Sequence, residues 1–464
     1  MNLIATSEKK VVIGLGATGQ SVVRFLVRQG FSPVVVDSRA QPPGLESFQR
    51  EFPNVPVQCG TLERETLLAA SELIVSPGIA LAQPDIAEAI RAGIPAIGDI
   101  ELFARELLKL AEKPKVVAIT GSNGKSTVTT LMGLMAEAAG IDVKVGGNIG
   151  VPVLDLLSQP LPQLFVLELS SFQLETTSSL APDAATILNL SADHMDRYPT
   201  LAAYHQAKQR IYRNAKQLVV NRADPLTRGP LAKGHQEWSF GLERPDLQQF
   251  GVIEDDGEQW LARGANKLMP ASEMAMVGSH NIANALAALA LGNAVNLPME
   301  AMLSVLRTFA GLTHRCERVA DFSDVTFVND SKGTNVGATR AALEGLATDS
   351  RKIVLIAGGD GKGADFTPLA EAASALRGLV TIGVDGDKIA SVFEGLVSQQ
   401  SAQTMDEAVS IALDMARPGD YVLLSPACAS FDMYKNFEAR GEDFRGAVNR
   451  LGSAVSVDRH GGGR

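Results

Sequence analysis

Only three of the 464 residues are cysteine, Cys59, Cys316 and Cys428, and they lie far apart. An odd number at such spacing frames neither a disulfide scaffold nor a zinc site. Positive charge is also short: 42 Lys and Arg face 52 Asp and Glu, a formal net charge of −10. With no surplus of cations to neutralise a polyanion, the chain is not expected to bind nucleic acid or an anionic membrane surface. A small anionic ligand needs only a local pocket and is not excluded. No stretch approaches the roughly 20 apolar residues of a membrane span. The opening MNLIATSEKKVVIGLG has no apolar run of signal-peptide length, so a reducing, cytoplasmic setting is expected. Short-period repeats and low-complexity tracts are absent too.

What the chain does have is a repeating alternation. Short apolar runs bounded by glycine alternate with helix-length amphipathic stretches, the pattern of βα units and parallel sheets. With 45% hydrophobic and 20% charged residues, the composition is that of a globular protein with a good core. The expected fold is α/β in three domains, residues 1–105, 106–311 and 312–464. The first holds strands at 11–13, 34–36 and 73–75. The second holds strands at 116–119, 165–167 and 186–190 and a small hairpin in GVIEDDGEQWLA; the third holds strands at 325–328, 353–356, 380–382 and 421–424.

The stretch VVIGLGATGQSVVRFL places Gly14, Gly16 and Gly19 in G-x-G-x-x-G order between a strand and a helix, with Asp37 ending the next apolar run. Glycines there let the backbone approach a pyrophosphate at a helix N-terminus, and the acid suits ribose hydroxyls. A nicotinamide cofactor and a UDP-sugar both satisfy this pattern. A second loop, IVSPGIAL, brings Ser76 and Gly78 to the same sheet edge.

VVAITGSNGKSTVTTLM reads as a phosphate loop with one glycine missing, since Ile119 stands where G-x-x-x-x-G-K-[ST] begins. The chemistry is retained. Gly121 and Gly124 permit close approach, Lys125 supplies charge to the terminal phosphates, and Ser126 or Thr127 reaches Mg²⁺. Glu168 closes the apolar run LFVLE, where a free carboxylate needs a partner such as a metal ion. Asp193, His194 and Asp196 follow another strand and are metal-ligand candidates. Lys208 falls on the apolar face of TLAAYHQAKQRIYRNA with Tyr204, Ile211, Tyr212 and Ala215, and from periodicity alone its head is expected to snorkel to solvent.

Taken together, TGSNGKST, GGNIG, LELSSFQL, DHMDRY with AKQRIY, and GSHNIANALAALA resemble the Mur ligase family. The third unit adds HRCERV, NDSKGTN, AGGDGKGADF and LLSPACASFDMYKNFEARGEDF, similar to the member that adds D-glutamate. The resemblance covers nearly the whole chain. It implies an N-terminal Rossmann-like UDP-binding domain, a central P-loop ATPase-type domain and a C-terminal Rossmann-like domain. It also implies an ATP-dependent amide ligase working through an acyl phosphate, with UDP-N-acetylmuramoyl-L-alanine, D-glutamate and ATP as its small-molecule partners. The enzyme would be a monomer with two Mg²⁺ ions.

By the same resemblance Lys125, Glu168, His194 and Lys208 are catalytic, and Ser126, Glu168, His194 and a carbamylated Lys208 hold metal. ATP would contact Gly121, Ser122, Asn123, Gly124, Lys125, Ser126, Thr127, Asn281, Asn284, Arg315 and Asp330. The UDP substrate would contact Gly14, Gly16, Thr18, Gly19, Asp37, Ser38, Arg39, Ser76 and Asn148. D-Glutamate would contact Lys332, Thr334, Lys362, Ser430 and Phe437. Gly333 and Phe431 depart from the family pattern beside that pocket. A dehydrogenase would leave Glu168, His194 and Lys208 without a task, and a P-loop kinase would need neither outer domain.

Overall fold

The computed structural model describes residues 8–157, 160–229, 236–276, 278–347 and 351–461. The chain forms three α/β domains, each built on its own sheet. The first sheet has β1 (Lys10–Ile13), β2 (Val34–Asp37), β3 (Val57–Cys59), β4 (Glu72–Val75) and β5 (Ala96–Ile97), all parallel, in the order β3-β2-β1-β4-β5. Val12 pairs with Val35 on one side and Ile74 on the other. Both faces of these strands are covered by helices, which is why they read as unbroken Val/Ile/Leu runs. The strand order reverses between β1 and β4, so the Gly14 and Ser76 loops leave the sheet side by side at its switch point.

The central sheet holds β6 (Lys115–Thr120), β7 (Val143–Gly147), β8 (Leu164–Glu168), β9 (Ala184–Ile187), β10 (Gln217–Asn221), β11 (Gln236–Phe240), β12 (Gln249–Asp255), β13 (Glu258–Arg263) and β14 (Asn266–Pro270). Its order is β14-β13-β12-β11-β10-β9-β6-β8-β7. The pairs β12–β13 and β13–β14 are antiparallel, so β13 alone runs against the others, and every other pair is parallel. The expected hairpin is β12–β13; Asp256 and Gly257 turn it with φ of 50° and 79°, the left-handed pair of a tight hairpin. The strand expected over 186–190 ends at Ile187, because Leu188 and Asn189 turn to the end of β6 and the loop after it, and Leu190 gives its N–H to Asp224.

The third sheet contains β15 (Glu317–Phe322), β16 (Val325–Asn329), β17 (Ile353–Gly358), β18 (Leu376–Ile382), β19 (Ser398–Ser401) and β20 (Tyr421–Leu424). Its order is β15-β16-β20-β17-β18-β19, and β15 alone runs antiparallel to its neighbour. Among the described residues no helix is long and apolar enough to cross a membrane.

The domains are joined by packed elements. Helix Asp99–Leu108 runs through residue 105, where a boundary was expected, and sets Phe103 edge-on against Phe165 with ring centroids 5.0 Å apart. Glu101 on the same helix accepts the N–H groups of Ser178 and Ser179 at 2.8 and 2.9 Å. One buried cluster therefore continues from Val12 and Val35 to Val116 and Phe165.

Candidate functional site

β6 lies between β8 and β9 and is buried along Val116–Thr120. Its end delivers the phosphate loop to the start of helix Lys125–Ala138, where free backbone N–H groups and the helix dipole favour an anion. Gly124 has φ of 82°, and a methyl group there would overlap Asn284 Oδ1. Both requirements select glycine. Lys125 folds back over the loop, its Nζ donating to the carbonyls of Gly121 and Ser122, both at 2.9 Å. Burial lowers its proton affinity, and Arg315 adds to this, while Glu168 and Asp193 oppose it.

Glu168 ends β8 at 1% exposure. Its Oε1 accepts Asn148 Nδ2 at 2.8 Å, whereas the buried Oε2 has no hydrogen-bond partner. The charges of Lys125, Arg315, Lys332 and Lys208 all act on this carboxylate. An orphaned oxygen of this kind suits a bound cation. Thr127 Oγ1 is likewise buried without a partner. Among the described residues no group of three His, Cys, Asp or Glu is gathered closely enough to hold a metal. An ion here would take its other ligands from hydroxyls and from the phosphates of a substrate.

Lys208 does not snorkel. Helix Leu201–Gln209 packs beneath the phosphate loop, leaving the lysine 1% exposed. Its Nζ donates to Gly121 O at 2.9 Å and Thr120 Oγ1 at 3.3 Å and sits 4.6 Å from the centre of the Tyr204 ring. Burial, reinforced by Lys125, pushes its proton affinity well below the ordinary lysine range. A neutral amine is the form that captures carbon dioxide, so this environment fits the carbamate expected from the resemblance.

His194 has a left-handed backbone, φ 57°, which turns it back beside Asp193, with Nε2 3.6 Å from Oδ2. It meets the ring of Phe172 edge-on at 4.9 Å. Burial lowers its proton affinity and Asp193 opposes the shift, so the neutral ring able to ligate a metal is favoured.

The third domain closes the far wall of a cleft of about 790 Å³. Arg315 Nη2 donates to Ser126 Oγ at 3.4 Å. Asp330 accepts Ser425 Oγ at 2.7 Å and the Cys316 N–H at 3.2 Å; burial raises its pKa to about 6. Lys332 Nζ stands 3.8 Å from the centre of the Phe437 ring. Burial, then Arg315, lowers its pKa to about 8. Gly333 has no room for a side chain, because a methyl group would meet Asp330 Oδ2 at 2.6 Å and Ser425 Oγ at 2.7 Å. Phe431 is 68% exposed.

A second centre lies at the edge of the first sheet. Gly14 has φ of 97° and touches the Ser76 loop, and at Gly19 a methyl group would overlap the Gly14 carbonyl oxygen. The Asp37 carboxylate is turned inward. It accepts the Leu15 N–H at 2.8 Å and pairs with Arg39 at 2.9 and 2.6 Å. The Arg39 pair brings its pKa down to about 2. Arg39, half exposed, and Ser38 are the polar groups left facing outward.

Family models match along the chain: the Mur ligase MurD-like N-terminal domain over residues 8–98, the Mur ligase middle domain over 119–292, and the Mur ligase glutamate ligase domain over 314–428. A UDP-N-acetylmuramoylalanine–D-glutamate ligase of Pseudomonas fluorescens is 54% identical over 453 residues, 97% of this chain and 100% of its own. The enzyme of the same name from Marinobacter nauticus is 52% identical with the same coverage. The chain belongs to the Mur ligase family. A solved MurF ligase of Thermotoga maritima, in complex with ADP, shares the fold at 16% identity, with a TM-score of 0.60 and 97% of each chain covered.

In this Mur ligase the cleft gathers Ser122–Thr127, Asn148, Glu168, His194, Asn281, Asn284, Arg315, Asp330, Lys332 and Thr334 along one wall-to-wall surface. Gly121 and Lys208 lie just beneath it. Asn148, expected at the UDP substrate, is held by Glu168. Lys362 and Ser430 stand outside this lining, although the Lys362 charge acts on His194 and Ser430 is buried. Gly14–Gly19, Asp37–Arg39 and Ser76 form the separate edge in the first domain. Two residues escaped the sequence reading. Asn189 brackets the loop backbone, its Oδ1 accepting the Asn123 N–H at 2.8 Å and its Nδ2 donating to Asn123 O at 3.1 Å. Asn335 crosses from the third domain. Asn189 lies in the strand expected over 186–190 and Asn335 ends NDSKGTN, but an Asn after a strand or before a helix reads as an ordinary turn or cap.

Proposed function

We propose that this chain is an ATP-dependent ligase that joins D-glutamate to UDP-N-acetylmuramoyl-L-alanine, a cytoplasmic step in making peptidoglycan precursor, and that it works as a monomer. A carboxylate oxygen of the acceptor attacks the γ-phosphorus of ATP; ADP leaves and an acyl phosphate forms. The amine nitrogen of D-glutamate then attacks the acyl carbon. The bond from that carbon to the phosphate oxygen breaks, phosphate departs, and the nitrogen loses its extra proton. A free carboxylate is a poor acyl donor, so activation precedes amide formation.

The protein contributes position and charge. Lys125 and the loop amides hold the triphosphate, Arg315 and Asp330 close it from the third domain, and Asn281 and Asn284 line the nucleoside side. Lys332, Thr334, Lys362, Ser430 and Phe437 receive the amino acid, whose two carboxylates suit two lysines. Arg39, Ser38, Thr18 and Ser76 at the first sheet's edge receive the UDP end. Ser126 and Glu168 would hold one Mg²⁺, and His194 with carbamylated Lys208 a second. Bound there, these ions would neutralise phosphate charge.

The observation that carries this reading is the buried Glu168 carboxylate, with one free oxygen, at the centre of cations supplied by two domains. Phosphate release measured with a panel of amino acids tests it. Release is expected only with ATP, the UDP-muramoyl-alanine acceptor and D-glutamate together, and far less with L-glutamate. Amide formation without ATP consumption would refute it.

A further inference from the structure

Asn335 begins helix Val336–Leu346 as its N-cap, its Oδ1 accepting the Ala338 N–H at 2.8 Å. The same side chain also reaches the central domain. Its Nδ2 donates to Asn123 Oδ1 at 3.2 Å and to Asp193 Oδ2 at 3.3 Å, and Asn123 Nδ2 returns a bond to Asn335 Oδ1 at 3.3 Å. Asn335 is 8% exposed, so these bonds form where water competes little. Close packing continues beside it: a methyl group on Gly337 would meet Ser191 Oγ at 2.6 Å. A cap alone needs one acceptor, and serine or aspartate serves as well. Among the usual caps only asparagine carries an amide N–H₂ beside its acceptor; the serine hydroxyl is a single donor on a shorter side chain, and aspartate would set a second carboxylate against Asp193. The residue type is therefore explained by the crossing contact.

We propose that Asn335 is a positioning residue that locks the Lys332–Thr334 loop to the phosphate loop and to Asp193, fixing the distance at which the amine meets the activated carboxyl group. The assignment rests on the ligase reading. With the lock in place, amine reaches the acyl carbon before water does. Without it, the amino-acid loop is no longer tied to the phosphate loop, and water attacks instead. Its oxygen bonds to the acyl carbon, the bond from that carbon to the phosphate oxygen breaks, and carboxylate, phosphate and a proton are released with no amide formed.

Asn335→Ser and Asn335→Asp both keep a capping oxygen and lose the amide donor. The measurements are thermal unfolding, kcat and KM for each substrate, and the ratio of phosphate released to amide formed. The parent protein is expected to give a ratio of one. Either folded variant is expected to exceed one, with kcat for amide formation down about tenfold and KM for the UDP substrate unchanged. A ratio of one in whichever variants fold overturns the assignment, whatever kcat does. If neither variant folds, Asn335 is a structural cap and the assignment is again wrong. Parent protein that consumes no ATP refutes the ligase reading and takes this assignment with it.

Discussion

Replacing Lys208 by methionine removes a buried amine while keeping most of its volume. The lysine's proton affinity is depressed in the fold, first by burial and then by Lys125. The unfolded chain keeps the ordinary value of 10.5, so below that pH it binds a proton that the folded chain resists. Stability therefore falls as pH drops from about 10.5, and the whole loss is in place once pH is below the folded value. Each unit of depression corresponds to about 1.4 kcal/mol. Against this stand the hydrogen bonds of Nζ. Gly121 O keeps Lys125 as a donor at 2.9 Å when Lys208 is gone, so no buried carbonyl is orphaned. Only the 3.3 Å bond that Nζ donates to Thr120 Oγ1 is lost without replacement, worth about 0.5–1.5 kcal/mol.

Burying the ammonium costs more than one long hydrogen bond returns, so the balance favours methionine at pH 7. Chemical denaturation in buffer freed of carbon dioxide, so that the amine is not carbamylated, measures this at pH 7 and again near pH 10, where the advantage should shrink. Amide formation should be lost in the same variant. Lys208→Ala should also be inactive and recover part of its activity with added short carboxylates, which supply the missing anion. A methionine variant less stable than the parent at pH 7 would refute the desolvation argument. An alanine variant of full activity would refute the carbamate.

Two further outcomes follow from buried groups. Asp99, fully buried with Oδ1 unpartnered, has its pKa raised by burial to about 6. Its contribution is whole below the unfolded value near 4 and is lost as pH rises through about 6, so Asp99→Asn should stabilise the protein by about 3 kcal/mol at pH 8 and by little at pH 4, read by urea titration at both. Gly19→Ala forces a methyl group into the Gly14 carbonyl; it should cost about 3 kcal/mol or more and raise amide hydrogen exchange in the first domain.

Much of the fold was legible because parallel strands covered on both faces leave plain apolar runs, as in Val11–Ile13, Val116–Ile119 and Ile353–Ile356. Strands held by backbone pairing alone were not. β19 is Ser-Gln-Gln-Ser, largely exposed, and joins the sheet only through its register with Gly378–Thr381. β5 has two residues. Lys208 is misjudged by periodicity alone for a related reason. Periodicity places it on the apolar face, but only tertiary packing decides whether that face has a route to water. Here the phosphate loop closes it. Asp37 likewise has the expected position, yet its carboxylate is spent on Leu15 and Arg39, a choice made by side-chain geometry.

The missing glycine of the phosphate loop shows how the two levels meet. Ile119 is wholly buried within β6 and pairs with Glu168 on one side and Thr186 on the other. A glycine there would weaken a central strand and leave a void, so the loop must begin later, after Thr120. A loop so shortened gives up part of its own span, and the neighbouring chain makes up the difference. Asn189 holds both backbone groups of Asn123, and its carbonyl accepts the Ser122 N–H at 2.9 Å. This explains why β9 stops at Ile187 rather than continuing to Leu190. Leu188 and Asn189, which would have extended the strand, brace the loop instead, placing Asn123 where Asn335 can reach it, and Leu190 turns its N–H to Asp224. The departure from the common motif is thus compensated locally, by residues whose type looked unremarkable when read one position at a time.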